Sequence, residues 1–276
     1  IRISSYCVGA ITTFKTLFYD TRILHKIDFA NLLNSTRLFS FITTVVCFYA
    51  VYIILKNSKT LPEEEKSISK IYSALATFFL VMIIFLELQK HQVWITLLLS
   101  AIALIFTFLS RIKNKETLYA SFVIIAILAG KVLLYDSWRL NDFSFNNILS
   151  STRVISFTIT ILALYIIAAY LEKNKEHLKN EEKIAPILIS YLATALTFTI
   201  ILIEMKEFLI SVGWIILALA LTIIGFAIGK KHLRIQGMLI FGITIIKVFL
   251  YDTRNLDTLY RTVSYMVLGV ILLLVS

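Results

Sequence analysis

The sequence predicts an all-α, polytopic transmembrane protein of about ten spans, arranged as direct four-helix repeats of about 116 residues. Three observations predict it. The chain is 59% hydrophobic and 16% charged, where a soluble domain is about half apolar and about a quarter charged. Its apolar residues run in blocks long enough to span a bilayer, with charges clustered between them and a mean hydropathy of +0.86. One phrase recurs at a fixed interval: "FKTLFYDTR" at Lys15, "GKVLLYDSWR" at Lys131 and "IKVFLYDTRN" at Lys247, each 116 residues after the last.

The repeat can be walked outward from this phrase. Span A covers 1–19, 117–135 and 233–251, and each copy ends in K-x-x-x-Y-D. A linker follows in which Phe29, Asn31 and Ser35 match Phe145, Asn147 and Ser151; the third copy is shortened. Span B opens with an arginine, Arg37, Arg153 or Arg261. Span C covers 70–89 and 185–205 and carries Glu87 or Glu204 near its end. Span D covers 93–110 and 209–228, with Trp94 and Trp214 near its start. The order A-B-C-D-A-B-C-D-A-B divides the chain into repeat 1 (1–116), repeat 2 (117–232) and a two-helix partial repeat 3 (233–276). At 1.5 Å per residue, each span covers the roughly 30 Å hydrocarbon core. Four spans per unit is an even number, so successive units insert in the same orientation, unlike inverted transporter repeats.

The charges set orientation. The B–C and D–A linkers with the N-terminus hold 15 Lys and Arg, against 9 on the opposite face. The positive-inside rule puts the first face in the cytoplasm and the lysine phrases at the outer boundary. The same rule accounts for the net charge of +10 without nucleic acid, since no basic stripe is interleaved with exposed aromatics. The expected partners are the lipid bilayer and other membrane proteins. Two Pro and eight Gly give little turn chemistry for an all-β fold. Cys7 and Cys47 lie in apolar segments and read as small buried hydrophobes. The chain starts and stops within apolar sequence, which reads as a piece of a longer polypeptide.

The polar residues inside this apolar frame form a recurring constellation. Lys15 and Tyr19 are four apart and are expected to stack on one helix face, with Asp20 at the helix end. Arg37 and Glu87 approach from spans B and C on the same side. Lys131, Tyr135, Asp136, Arg153 and Glu204 take the same places in the second unit, and Lys247, Tyr251, Asp252 and Arg261 in the third. An isolated charge in the bilayer costs roughly 2.5–3.5 kcal/mol, which pairing offsets. The expected partner of Lys131 is Asp136, Glu204 or Glu87.

These residues also carry a resemblance. Lys247 to Asp252 gives a K-x-x-x-x-D helix end, and Arg261 to Tyr265 an R-x-x-S-[FY] helix start. The terminal stretch containing both resembles the bacterial predicted membrane proteins of domain of unknown function 2339. Members of that family are often longer, with a soluble N-terminal coiled-coil part. The resemblance implies a multi-pass inner-membrane protein of unassigned function and supplies no catalytic residues.

The sharp and the bland readings of the constellation diverge. A functional site usually breaks symmetry, and this cluster recurs with little change. A polar clamp in a non-catalytic membrane scaffold or envelope component is therefore preferred. The alternative is a transporter or a lipid- or glycan-handling protein that uses the clusters as a binding site. The tyrosines of the three phrases, with Trp94, Trp138 and Trp214, read as an interfacial aromatic belt. His25, His91, His177 and His232 fall in four separate linkers without ligand spacing, so no metal is expected. No phosphate-binding loop, dinucleotide fingerprint, nucleophile elbow or zinc-protease motif occurs, and nothing calls for a cofactor. Catalysis is left open only through the carboxylates and lysines of the outer face.

Overall fold

The computed structural model describes residues 36–57, 63–88, 91–110, 115–139, 151–178, 182–205 and 208–252, with a few single positions besides. Among the described residues there are eight long helices and no strand. They are α1 (Thr36–Asn57), α2 (Glu63–Glu87), α3 (Gln92–Ser110), α4 (Lys115–Gly130), α5 (Thr152–Lys173), α6 (Ala185–Glu204), α7 (Phe208–Ala227) and α8 (Lys231–Lys247). Two of them widen at the C-terminal end into a π turn, α4 through Lys131–Asp136 and α8 through Val248–Asp252.

Seven helical segments, in α1 to α7, are long and apolar enough to cross a membrane. The expected third copy of span A corresponds to α8 and its π turn. The expected span 1–19 and the span opening at Arg261 lie almost entirely outside the described residues. Span C of the first unit starts earlier than expected, because Glu63 to Glu65 form its first turn, where the helix dipole favours acids.

Local chemistry sets several helix ends. Ser151 caps α5, its hydroxyl accepting from Val154 N. Pro186 lies in the first turn of α6, where its missing N–H breaks no bond. Gly229, at φ 70°, ends α7. Its N–H donates to Phe226 O, and Lys230 N–H donates to Gly225 O. This is the Schellman arrangement that a left-handed glycine permits, and it starts α8 after a very short turn.

The helices fall into two compact units. The first holds α1 to α4. Its aromatic core lies between α1 and α2, where Phe41, Phe48, Tyr52, Tyr72, Ala76 and Phe79 are buried. The rings of Phe48 and Phe79 stack with centroids 5.8 Å apart. Helices α3 and α4 pack through small residues, with Ala103, Thr107 and Ser121 all essentially inaccessible.

The second unit holds most of α5 together with α6 to α8. Its core joins Trp214, Ala218 and Leu221 of α7 to Ile240 and Phe241 of α8. A Cβ on Gly237 would collide with Thr222 Oγ1 and lie 2.8 Å from Ala218 O. Helices α7 and α8 are thus close enough for a glycine at the crossing, the small-residue packing that holds helices together where no hydrophobic force operates between them. Many large apolar side chains, Ile54, Ile216, Ile223 and Leu239 among them, are exposed, as lipid-facing positions require. Cys47, expected to be buried, is exposed on this surface too, and Cys7 lies outside the described residues.

Candidate functional site

Lys131 is the best-defined member of the recurring constellation. It sits where α4 becomes a π turn, at the end of the apolar run "ASFVIIAILAG". Its ammonium donates to Asp136 Oδ2 at 2.7 Å, to Thr96 Oγ1 at 2.6 Å and to Gln92 O at 2.9 Å. An ammonium has three N–H donors, and these three acceptors use all of them. The side chains of Lys131 and Asp136 are 3% and 0% exposed.

The π turn creates this pair. In an α-helix, residues five apart point about 140° away from each other. A turn closed by i→i+5 bonds brings them back onto one face. Tyr135, four residues on, was expected to share the Lys131 face, with Asp136 at the helix end. The widened turn brings Asp136 onto that face, and Tyr135 O–H accepts from Gln92 Nε2 at 3.4 Å. Of the three carboxylates expected near Lys131, Asp136 is the one that binds it. Glu204 is taken by Arg153, and Glu87 makes no ion pair with Lys131.

The second described charge pair is Arg153–Glu204, with Nη1 3.3 Å from Oε1. The two side chains are 6% and 5% exposed. Arg153 lies in the first turn of α5 and Glu204 is the last residue of α6. Each charge therefore stands at the end of its helix that the macrodipole disfavours. Their mutual attraction, rather than the helix field, must hold them. Breaking such a buried pair from one side costs about 3–5 kcal/mol.

The third lysine phrase keeps its contact to span D. Lys247 Nζ donates to Ser211 Oγ at 2.7 Å and lies 6.0 Å from the Trp214 ring centroid. Ser211 is 115 residues after Thr96, which fills the same role for Lys131. Tyr251 is exposed. Glu87 is half-buried at the end of α2, and Lys15 is exposed. Tyr19, Asp20 and Arg261, and the side chains of Arg37 and Asp252, lie outside the described residues.

The aromatic belt needs one correction. Trp94 and Trp138 are exposed, Trp138 to 86%, but Trp214 is 5% exposed. Its ring stacks on Phe198 at 4.0 Å, and its Nε1–H donates to Phe198 O at 3.3 Å. The offset of 115 that relates Thr96 to Ser211 pairs Trp214 with Leu99, which is fully buried. The two tryptophans therefore sit at different depths in their helices.

Sequence reasoning missed the polar contacts deeper in the spans. Tyr49 O–H and Thr77 Oγ1 are 3.2 Å apart, joining α1 to α2. Tyr165 O–H and Thr194 Oγ1 are 2.9 Å apart, joining α5 to α6. The two tyrosines are 116 residues apart and the two threonines 117. Gln236 of α8, buried, extends the second contact: its Oε1 accepts from Thr194 Oγ1 at 2.7 Å, and its Nε2 donates to Ser190 Oγ at 3.2 Å. Thr77 and Thr194 also bond back to carbonyls four residues earlier. This local satisfaction makes a membrane-buried threonine inconspicuous in sequence.

At the opposite helix ends, Lys56 of α1 lies 3.7 Å from Glu116 of α4, and Glu172 of α5 accepts from Lys230 at 2.9 Å. Lys56 and Glu172 are 116 residues apart and carry opposite charges.

No curated protein and no solved structure matches the chain. Residues 144–276, which contain the Lys247–Asp252 and Arg261–Tyr265 motifs, match the family Predicted membrane protein (DUF2339).

Proposed function

We propose that this chain is a non-catalytic membrane scaffold or envelope component, in which buried charge pairs clamp adjacent helices. The observation that carries the reading is the saturation of Lys131. Its three donors are used by acceptors of its own two-helix contact, α3 and α4, so none remains for a ligand. A transporter or lipid- and glycan-handling protein would need a charge left available to its cargo.

The proposal includes the repeat. Ten spans in two direct four-helix units and a partial third account for the recurrence of the Tyr–Thr contact and the lysine contact to span D at offsets of 115–117. Span A of one repeat packs on span D of the repeat before it, so a packing unit and a sequence repeat have different boundaries. The orientation in this reading puts the lysine phrases at the outer face of the inner membrane and the Lys56–Glu116 pair at the cytoplasmic side.

Accessibility tests it. Thr96→Cys, nearly isosteric and placed against Lys131 in a background lacking Cys7 and Cys47, should resist a membrane-impermeant maleimide until the protein is denatured. Trp138→Cys, on an exposed side chain, should react in the native state. Equal native labelling of the two would show an open, water-filled site and favour the binding-site alternative.

A further inference from the structure

One end of the second unit carries positive charge that its own acids do not neutralise. Three helix ends meet there. Lys230, at the start of α8, reaches Glu172 at the end of α5, and Gln236, one turn and a half into α8, reaches Ser190 near the start of α6. The described charges at these ends are Lys173, Lys175, Lys183, Lys230, Lys231 and Arg234 against Glu172, Glu176 and Glu182, with His232 in addition. Six cations against three anions leave +3.

The acids are already committed or misplaced. Glu172 serves two ammoniums, Lys230 at 2.9 Å and Lys175 at 3.6 Å. Glu182 is buried, and Glu176 is exposed. Lys231 is exposed and has no carboxylate within ion-pair distance among the described residues. Arg234 stacks its guanidinium on Phe226 at 4.9 Å, and its Nε is buried without a hydrogen-bond partner. Arginine's planar fork matches phosphate geometry, and stacking pre-orients it. Helix α8 adds its own field: its cap is Lys230 and its first turn holds no acid, so cations crowd the positive end of the dipole.

The first unit shows that duplication does not require this arrangement. There Lys56 meets one carboxylate, Glu116, in a neutral pair. The residue 116 before Arg234 is Leu118, which is buried.

We propose that this basic end binds the phosphate of an anionic phospholipid headgroup, with Lys231 and Arg234 as its principal ligands. The bilayer is the source of the anion because the cluster lies at the end of lipid-facing helices. Exposed Phe226, Ile228, Ile235 and Leu239 stand beside it as a surface for acyl chains. Basic pockets between transmembrane helices bind anionic headgroups through this combination. The inference rests on the membrane character of the chain and not on the scaffold reading.

The test is lipid retention in nanodiscs of zwitterionic lipid to which phosphatidylglycerol is added, read by native mass spectrometry and by thermal midpoint. The wild-type protein should retain phosphatidylglycerol and melt at a higher temperature. The variant Lys231→Gln/Arg234→Gln should bind it about tenfold or more weakly, since each basic residue near an anionic surface contributes on the order of 1 kcal/mol. Lys231→Gln alone, altering an exposed side chain, gives an intermediate loss in a protein whose midpoint in zwitterionic lipid is unchanged. Lys56→Gln, in the other unit, should leave retention intact. Equal retention by wild type and both variants, or an equal rise in midpoint from inorganic phosphate alone, would overturn the proposal.

Discussion

Lys131 and Asp136 face each other across a single π turn, ammonium to carboxylate at 2.7 Å, five residues apart on one helix. The turn puts a cation and its counter-ion on the same side of a membrane helix. The neighbouring helix supplies Thr96 Oγ1 and Gln92 O to the remaining donors. A charge that would destabilise the span alone thereby becomes a link between two spans.

The link has a direction, which predicts the outcome of a charge swap. In Lys131→Asp/Asp136→Lys the opposite charges persist. Gln92 O, however, would then face a carboxylate, and two acceptors cannot bond each other. The swap should recover less than half of the stability lost in Lys131→Met, measured as unfolding free energy in mixed micelles. Full recovery would mean that charge alone matters and that the hydrogen bonds to α3 are incidental.

Glycine positions in α8 predict a sharp contrast. Gly237→Val should lower the melting temperature markedly, because the new side chain meets Thr222 and the Ala218 carbonyl. Gly242→Ala, with nothing within 4 Å of its Cβ, should be neutral or slightly stabilising. Equal melting temperatures for the two variants would contradict the close α7–α8 crossing.

Gln236 predicts a milder effect. Gln236→Leu removes the link from α8 to Thr194 and Ser190, yet Thr194 Oγ1 keeps the Ser190 carbonyl and the Tyr165 hydroxyl as partners. Interhelical hydrogen bonds of this kind average about 0.6 kcal/mol and reach about 1.7 kcal/mol. A loss within that range in chemical unfolding is expected. A loss several times larger would assign Gln236 a role beyond helix association.

Much of this was legible in the sequence. Apolar run lengths gave the helices, and the five-residue interval from Lys131 to Asp136 carried the pair. Read with α-helical geometry, the same phrase put Tyr135 on the Lys131 face and Asp136 at the helix end, because a π turn leaves no composition mark. Thr96 and Ser211 carry no mark in the sequence that separates them from other polar interruptions of apolar runs. Trp214 looked interfacial by position in its span, since only packing reveals that Phe198 covers it. The cations of α8 read simply as a basic loop until Glu172 was seen to serve both Lys175 and Lys230.

Topology follows from the charge asymmetry and can be checked in cells. Single cysteines placed near Asn31 and Asn147 should react with an impermeant reagent added outside, and those near Lys59 and Lys175 should not. The reverse pattern would invert the protein in the membrane and move the lysine phrases to the cytoplasmic side.

A double-mutant cycle on the unfolding free energy of Lys131→Met, Asp136→Asn and the double variant tests the clamp most directly. Each single change leaves a buried group without its partner and should cost about 3–5 kcal/mol. The double variant should cost clearly less than the two together, with a coupling of at least about 2 kcal/mol. Strictly additive losses would show that Lys131 and Asp136 do not stabilise each other, and the clamp would give way to a site that serves a ligand.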